Sequence, residues 1–82
     1  MIPELYQEVA LTRDFPEYEL KAGDIATLID FVDHPSGGEE GCVLEVFNAV
    51  GESLTVIAVP ISTVEALRPD EILTVRSLAK VA

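Results

Sequence analysis

Residues 18–33, YELKAGDIATLIDFVD, decide the fold of this 82-residue chain. A polar corner of Lys21, Gly23 and Asp24 runs straight into Ile25, Leu28, Ile29, Phe31 and Val32. Gly23 supplies a backbone freedom that other residues lack, so the corner reads as a tight turn. The run at 25–32 is too short and too rich in β-branched side chains to prefer a helix. It reads as a strand buried over much of its length.

Working outward, LYQEVALT at 5–12 places Val9 and Leu11 on one side and Glu8, Ala10 and Thr12 on the other, the period of two of a short strand. RDFPEYELKAGD at 13–24 breaks that pattern with Pro16 and reads as a long acidic loop around two aromatics. DHPSGGEEG at 33–41 is a turn-rich connection. CVLEVFNAV at 42–50 is a third strand whose core side holds Leu44 and Val46, because Glu45 shares the other side with Phe47. Gly51 marks a hairpin turn, LTVIAVP at 54–60 returns, and Pro60 ends the ladder. ISTVEALRP at 61–69 predicts a single 3-10 turn with Ser62 or Thr63 as cap and Pro69 closing the space. In residues 70–82, Leu73 and Val75 alternate with Thr74 and Arg76, which favours a last strand over a short helix.

The reading is therefore all-β: one domain over 1–82, a small five-stranded, partly open barrel with a 3-10 turn before the last strand. This is the element order of SH3-like barrels, in which curling limits exposed edges.

Composition narrows the function classes. Fifteen Asp and Glu against five Lys and Arg give a formal charge of −10, and the cations are scattered at 13, 21, 68, 76 and 80. Phosphate contacts need clustered cations, so nucleic acid and anionic membrane surfaces are disfavoured as partners. A basic protein partner is compatible with this field. The single cysteine, Cys42, allows no intrachain disulfide and no thiolate metal cluster. No signal-peptide pattern and no apolar run of about 20 residues occurs, so a cytoplasmic protein is expected.

The motifs together resemble a small bacterial family, domain of unknown function 4926. Its members show a Val-Ala-Leu-Thr strand, a Leu-Pro-Glu-Tyr loop, Leu-Lys-x-Gly-Asp before a Gly-Thr-Val strand, a Val-Glu-Phe strand, a turn ending in Gly, and Leu-Arg-Pro. Val9 to Thr12, Pro16 to Tyr18, Leu20, Lys21, Gly23, Asp24, Glu45 to Phe47, Gly51 and Leu67 to Pro69 stand at these places, so the resemblance covers roughly 7–69. Two departures are Ala26, where the family has Gly, and Phe15, where it has Leu. The resemblance implies an accessory or binding module and transfers no catalytic residue.

Three groups of residues compete as sites. Phe15, Glu17, Tyr18, Glu19 and Asp24 make the acidic, aromatic loop expected to contact a partner; Asp30 and Asp33 extend its negative field. Peptide-binding SH3 domains rely on a Trp that this chain lacks, and the alternative is that Phe15 and Tyr18 fold back to cap the barrel. Asp33, His34, Glu39, Glu40 and Cys42 are metal-compatible ligands, but their spacing matches no known cage and reads as a polar hairpin tip. Cys42 with His34 lacks the orienting group and oxyanion site that a nucleophile needs. The expectation is a non-enzymatic protein-interaction module without cofactor, immunity- or antitoxin-like, binding a basic protein. The alternative is a structural subunit that self-associates, as a homo-oligomer, through an exposed strand edge.

Overall fold

The computed structural model describes residues 3–34 and 36–78. Pro35, Lys80 and the other residues of 79–82 lie outside the described residues, as do the first two. Among the described residues five strands form one antiparallel sheet: β1 (Glu8–Leu11), β2 (Ile25–Val32), β3 (Gly41–Phe47), β4 (Ser53–Pro60) and β5 (Val64–Ala66), in the order β4-β3-β2-β1-β5. Two 3-10 turns interrupt them, η1 (Pro16–Tyr18) and η2 (Ile61–Thr63). The order is compatible with an SH3-like barrel.

The sheet has to curl, and the reason lies in η2. β4 and β5 stand at opposite edges, about 19 Å apart if five strands lay flat at the usual spacing. From Pro60 to Val64 even an extended chain reaches only about 14 Å, and a 3-10 turn reaches less. Three linking residues therefore pull the edges towards each other, and one core fills the inside. It contains Val9 and Leu11 of β1, Ala26 and Leu28 of β2, Cys42, Leu44 and Val46 of β3, Ile57 and Val59 of β4, and Val64 of β5. The sheet stays open because β4 pairs only with β3, and β5 only with β1.

β2 shows how the ladder handles a charge in an apolar strand. Its alternation sends Ala26 and Leu28 inward, and strict continuation would send Asp30 inward too. The register with β3 instead shifts between Leu28 and Asp30: Leu28 faces Leu44, Asp30 faces Val43, and Phe31 faces Cys42. One extra residue, Ile29, is absorbed as a bulge. Beyond it Asp30 is exposed and Phe31 packs against the core.

The connections are tied by polar side chains. In the β3–β4 hairpin, Asn48 Oδ1 accepts from Val50 N (3.1 Å) and Glu52 N (2.9 Å), with Gly51 at φ 85°. Glu39 Oε2 accepts from Ser62 N at 2.6 Å, and Glu40 O from Ile61 N at 2.9 Å, which fastens the 33–41 loop to η2. Thr63, the buried polar residue of η2, donates its hydroxyl to Pro60 O at 2.6 Å.

One strand falls elsewhere than the sequence predicts. Among the described residues the last strand is Val64–Ala66, immediately after η2, and none lies in 70–78. Pairing decides this: Leu11 faces Val64 and Val9 faces Ala66, so β5 occupies the free side of β1. Residues 71–78 belong to no strand, and the Leu73–Val75 alternation buries neither residue, with Val75 92% exposed.

Candidate functional site

The loop between β1 and β2 is shaped by a small closed ring. Phe15 N donates to Leu20 O (2.8 Å), and Leu20 N donates to Phe15 O (3.1 Å). Between them Pro16 opens η1, its fixed φ suited to a first helical position, and Glu19 ends the turn in the left-handed region at φ 60°. The ring draws Phe15 and Leu20 inward to 2% and 5% exposure. Arg13 lies over the Phe15 ring, its Cζ 4.0 Å from the centroid. Phe15 is thus a core residue, as the alternative reading had it, and offers no exposed ring to a partner. Tyr18 stays at the surface, 39% exposed, with its ring 6.2 Å from that of Phe15.

The corner after this loop is tied to β1 and to its own side chain. Gly23 sits at φ 91°, which a side chain rarely adopts, although a Cβ there would meet nothing within 4 Å. Gly23 N donates to Leu11 O (2.8 Å), and Asp24 O accepts from Leu11 N (2.9 Å), which locks the corner to β1. Asp24 Oδ2 accepts from Lys21 N at 2.7 Å, closing the turn with its own side chain.

Asp24 also holds Arg76, far along the chain. Arg76 Nε donates to Asp24 Oδ1 at 2.8 Å, Nη2 bonds Oδ2, and Nη2 also donates to Glu19 O at 3.2 Å. This two-pronged fork ties the tail to the loop and corner between β1 and β2. Burial alone pushes the Asp24 carboxyl up, but the Arg76 hydrogen bond, the Lys21 backbone bond and both cations outweigh it and hold the acid below its usual range. The sign follows: the pair's stabilisation is present above the unfolded pKa of about 3.9 and is lost as pH falls through the lower folded value. Asp24→Asn, or acidification below that value, is expected to release the tail while the sheet persists. Backbone ¹⁵N relaxation would show residues 72–78 gaining fast motion and β2–β3 unchanged; an equal gain in both would contradict the assignment.

The five expected contact residues are thus divided. Glu17, Tyr18 and Glu19, with Pro16 and Thr55, line one open hollow of about 430 Å³. Asp24 lines a neighbouring groove of about 530 Å³ with Leu73, Val75, Arg76 and Leu78 of the tail. The Arg76 guanidinium, touching both Asp24 and the Glu19 carbonyl, joins the two. Asp30 and Asp33 border neither hollow. Arg76 is the site residue that sequence reasoning missed, because nothing local connects it with a carboxylate 52 positions earlier.

The alternative groups take structural places. Cys42 is fully buried, its Sγ 3.6 Å from Val59 O, and burial pushes its thiol up, away from the reactive thiolate. Glu39 is held below its usual range by its bonds with Ser62 at η2. His34 Nδ1 accepts from Ser36 N at 3.1 Å within its own loop. Among the described residues no three His, Cys, Asp or Glu side chains come together as metal ligands, and no helix is long and apolar enough to cross a membrane.

Fold and site define a small all-β protein, one curled antiparallel sheet with an acidic, arginine-strapped mouth. The family model described as domain of unknown function (DUF4926) matches residues 5–72, and the chain belongs to that family. No curated protein and no solved structure matches it.

Proposed function

We propose that the chain is a small acidic interaction module of the bacterial cytoplasm, without catalysis, that binds a basic protein through the mouth formed by Glu17, Tyr18, Glu19 and Asp24. An immunity- or antitoxin-like cover for a basic surface is its specific form. One observation carries the reading. This mouth already holds a guanidinium, gripped by the Asp24 carboxylate and the Glu19 carbonyl, so its geometry suits arginine. Beside it, Tyr18 offers an exposed ring of the kind that anchors interfaces, and Glu17 makes no hydrogen bond or ion pair among the described residues.

The test is capture from native lysate with tagged protein at low and high salt. A basic protein should be retained at low salt and released at high salt, since exposed charge pairs are screened. Glu17→Lys and Tyr18→Ala should each lose it while remaining folded at the assay temperature. Retention unchanged in both variants would remove the mouth as the contact surface.

A further inference from the structure

We propose that residues 72–78 are a resident ligand of the chain's own arginine site, and that a partner enters by displacing Arg76 with an arginine of its own. The inference rests on the reading of the mouth as an arginine-binding surface, and adds what stands in that surface and what has to leave it.

The tail is attached like a ligand and not like part of the sheet. All five strands and both 3-10 turns fall within 5–72, the span that the family model matches, and Arg76 lies beyond it. Among the described residues no backbone hydrogen bond joins 72–78 to the sheet. The bonds that hold the tail come from one side chain, through Nε and Nη2 of Arg76 to the Asp24 carboxylate and the Glu19 carbonyl. Apolar packing adds little. Leu73 and Leu78 line the groove with Phe47 and Leu54, yet all four remain exposed.

The geometry selects arginine. Lys21 N fixes the Asp24 carboxylate from one side at 2.7 Å, and the guanidinium meets both of its oxygens from the other. A lysine ammonium carries the same charge on one atom and cannot make that planar, two-pronged contact.

Half of the mouth stays open. No tail residue borders the hollow of Glu17, Tyr18 and Glu19. A segment that brings an arginine to Asp24, with apolar neighbours for the groove and a second cation for Glu17, gains a contact that the tail does not make. That difference is what drives exchange. The tether opposes it, because a segment on a short linker competes as if present at about millimolar concentration. The strap thus sets a threshold, turning away lone arginines and weakly basic surfaces.

The probe is the tail itself as a peptide, ILTVRSL with blocked ends, titrated into the full chain and followed by the amide resonances of residues 20–27. Arg76→Ala in the chain empties the site and keeps Asp24. It should bind the peptide at least about tenfold more tightly than wild type, since a tail seated about nine-tenths of the time leaves about a tenth of the sites open. Arg76→Gln in the chain should behave alike. Asp24→Asn frees the tail but removes the carboxylate, and should show no such gain. Arg76→Lys in the peptide keeps the charge without the fork, and should lose most of the gain.

Equal binding to wild type and Arg76→Ala would overturn the proposal, as would no binding to either. A gain that survives Arg76→Lys in the peptide would overturn the choice of arginine. The mouth reading fails on a different result, capture unchanged by Glu17→Lys and Tyr18→Ala. A basic protein lost with Glu17→Lys, but captured equally by wild type and Arg76→Ala, would remove the strap and keep the mouth.

Discussion

Phe15→Ala should cost about 3–5 kcal/mol of folding stability, the range for truncating a buried aromatic. Phe15 is 2% exposed, is drawn inward by its paired bonds with Leu20, and lies beneath Arg13. Domains of this kind have about 5–15 kcal/mol in all, and a short chain belongs toward the lower end, so much of the protein's margin would go. Tyr18→Ala, three residues on, should cost about 1 kcal/mol or less, since that ring is at the surface. Urea unfolding followed by circular dichroism checks both. A Phe15→Ala midpoint close to wild type would mean that the loop closes without its aromatic. The contrast also governs how binding data are read: binding lost in Phe15→Ala reports on folding, and in Tyr18→Ala on contact.

The second large effect lies at the centre of the sheet. Leu28 and Leu44 are fully buried and face each other across β2 and β3, beside the bulge. Leu28→Ala and Leu44→Ala should each cost about 2–5 kcal/mol, set by how far the surrounding side chains close over the cavity. The two sites share that cavity, so their double variant should depart from the sum of the singles by about 0.5–3 kcal/mol. The double variant is expected to be largely unfolded at room temperature, with strand signal lost in circular dichroism. A single variant costing under about 1 kcal/mol would show that the layer is not packed as described.

Most of the fold was legible because period two is a strong signal wherever one face is buried. Val9 and Leu11 were read as sharing one side of a strand and are both buried; Leu44 and Val46 were read as its neighbour's core side and are. Gly23 and Gly51 were read as corners, and both have positive φ. The strand at 25–32 falls where the residues placed it, and a 3-10 turn lies within 61–69 as read, although Pro60 precedes it and neither Ser62 nor Thr63 caps it. The last strand was misplaced for a physical reason. Val64–Ala66 is three residues long, too short to show a period, and gains its identity from pairing with Val9 and Leu11. Leu73 and Val75 showed the period but had no partner. The site was less legible than the fold. Acidic loop residues were visible as such, but Phe15 could be assigned to core or surface only once its bonds with Leu20 were known. The Arg76–Asp24 fork joins distant segments, and sequence order carries no trace of it.

The short link between the sheet's two edges also bears on how the chain gets there. Pairing β2 with β3 closes a loop from Thr27 to Glu45, whereas pairing β1 with β5 closes one from Val9 to Ala66. By the logarithmic dependence of loop entropy on length, the longer closure costs about 1 kcal/mol more, for only three pairs of residues against five. Once β4 has folded back on β3, however, η2 holds β5 within three residues of an anchored strand. The entropy of that final closure is then set by the turn and no longer by the whole intervening chain. A linkage that looks in the finished molecule like a constraint on shape is, along the route, a shortcut between its most distant partners.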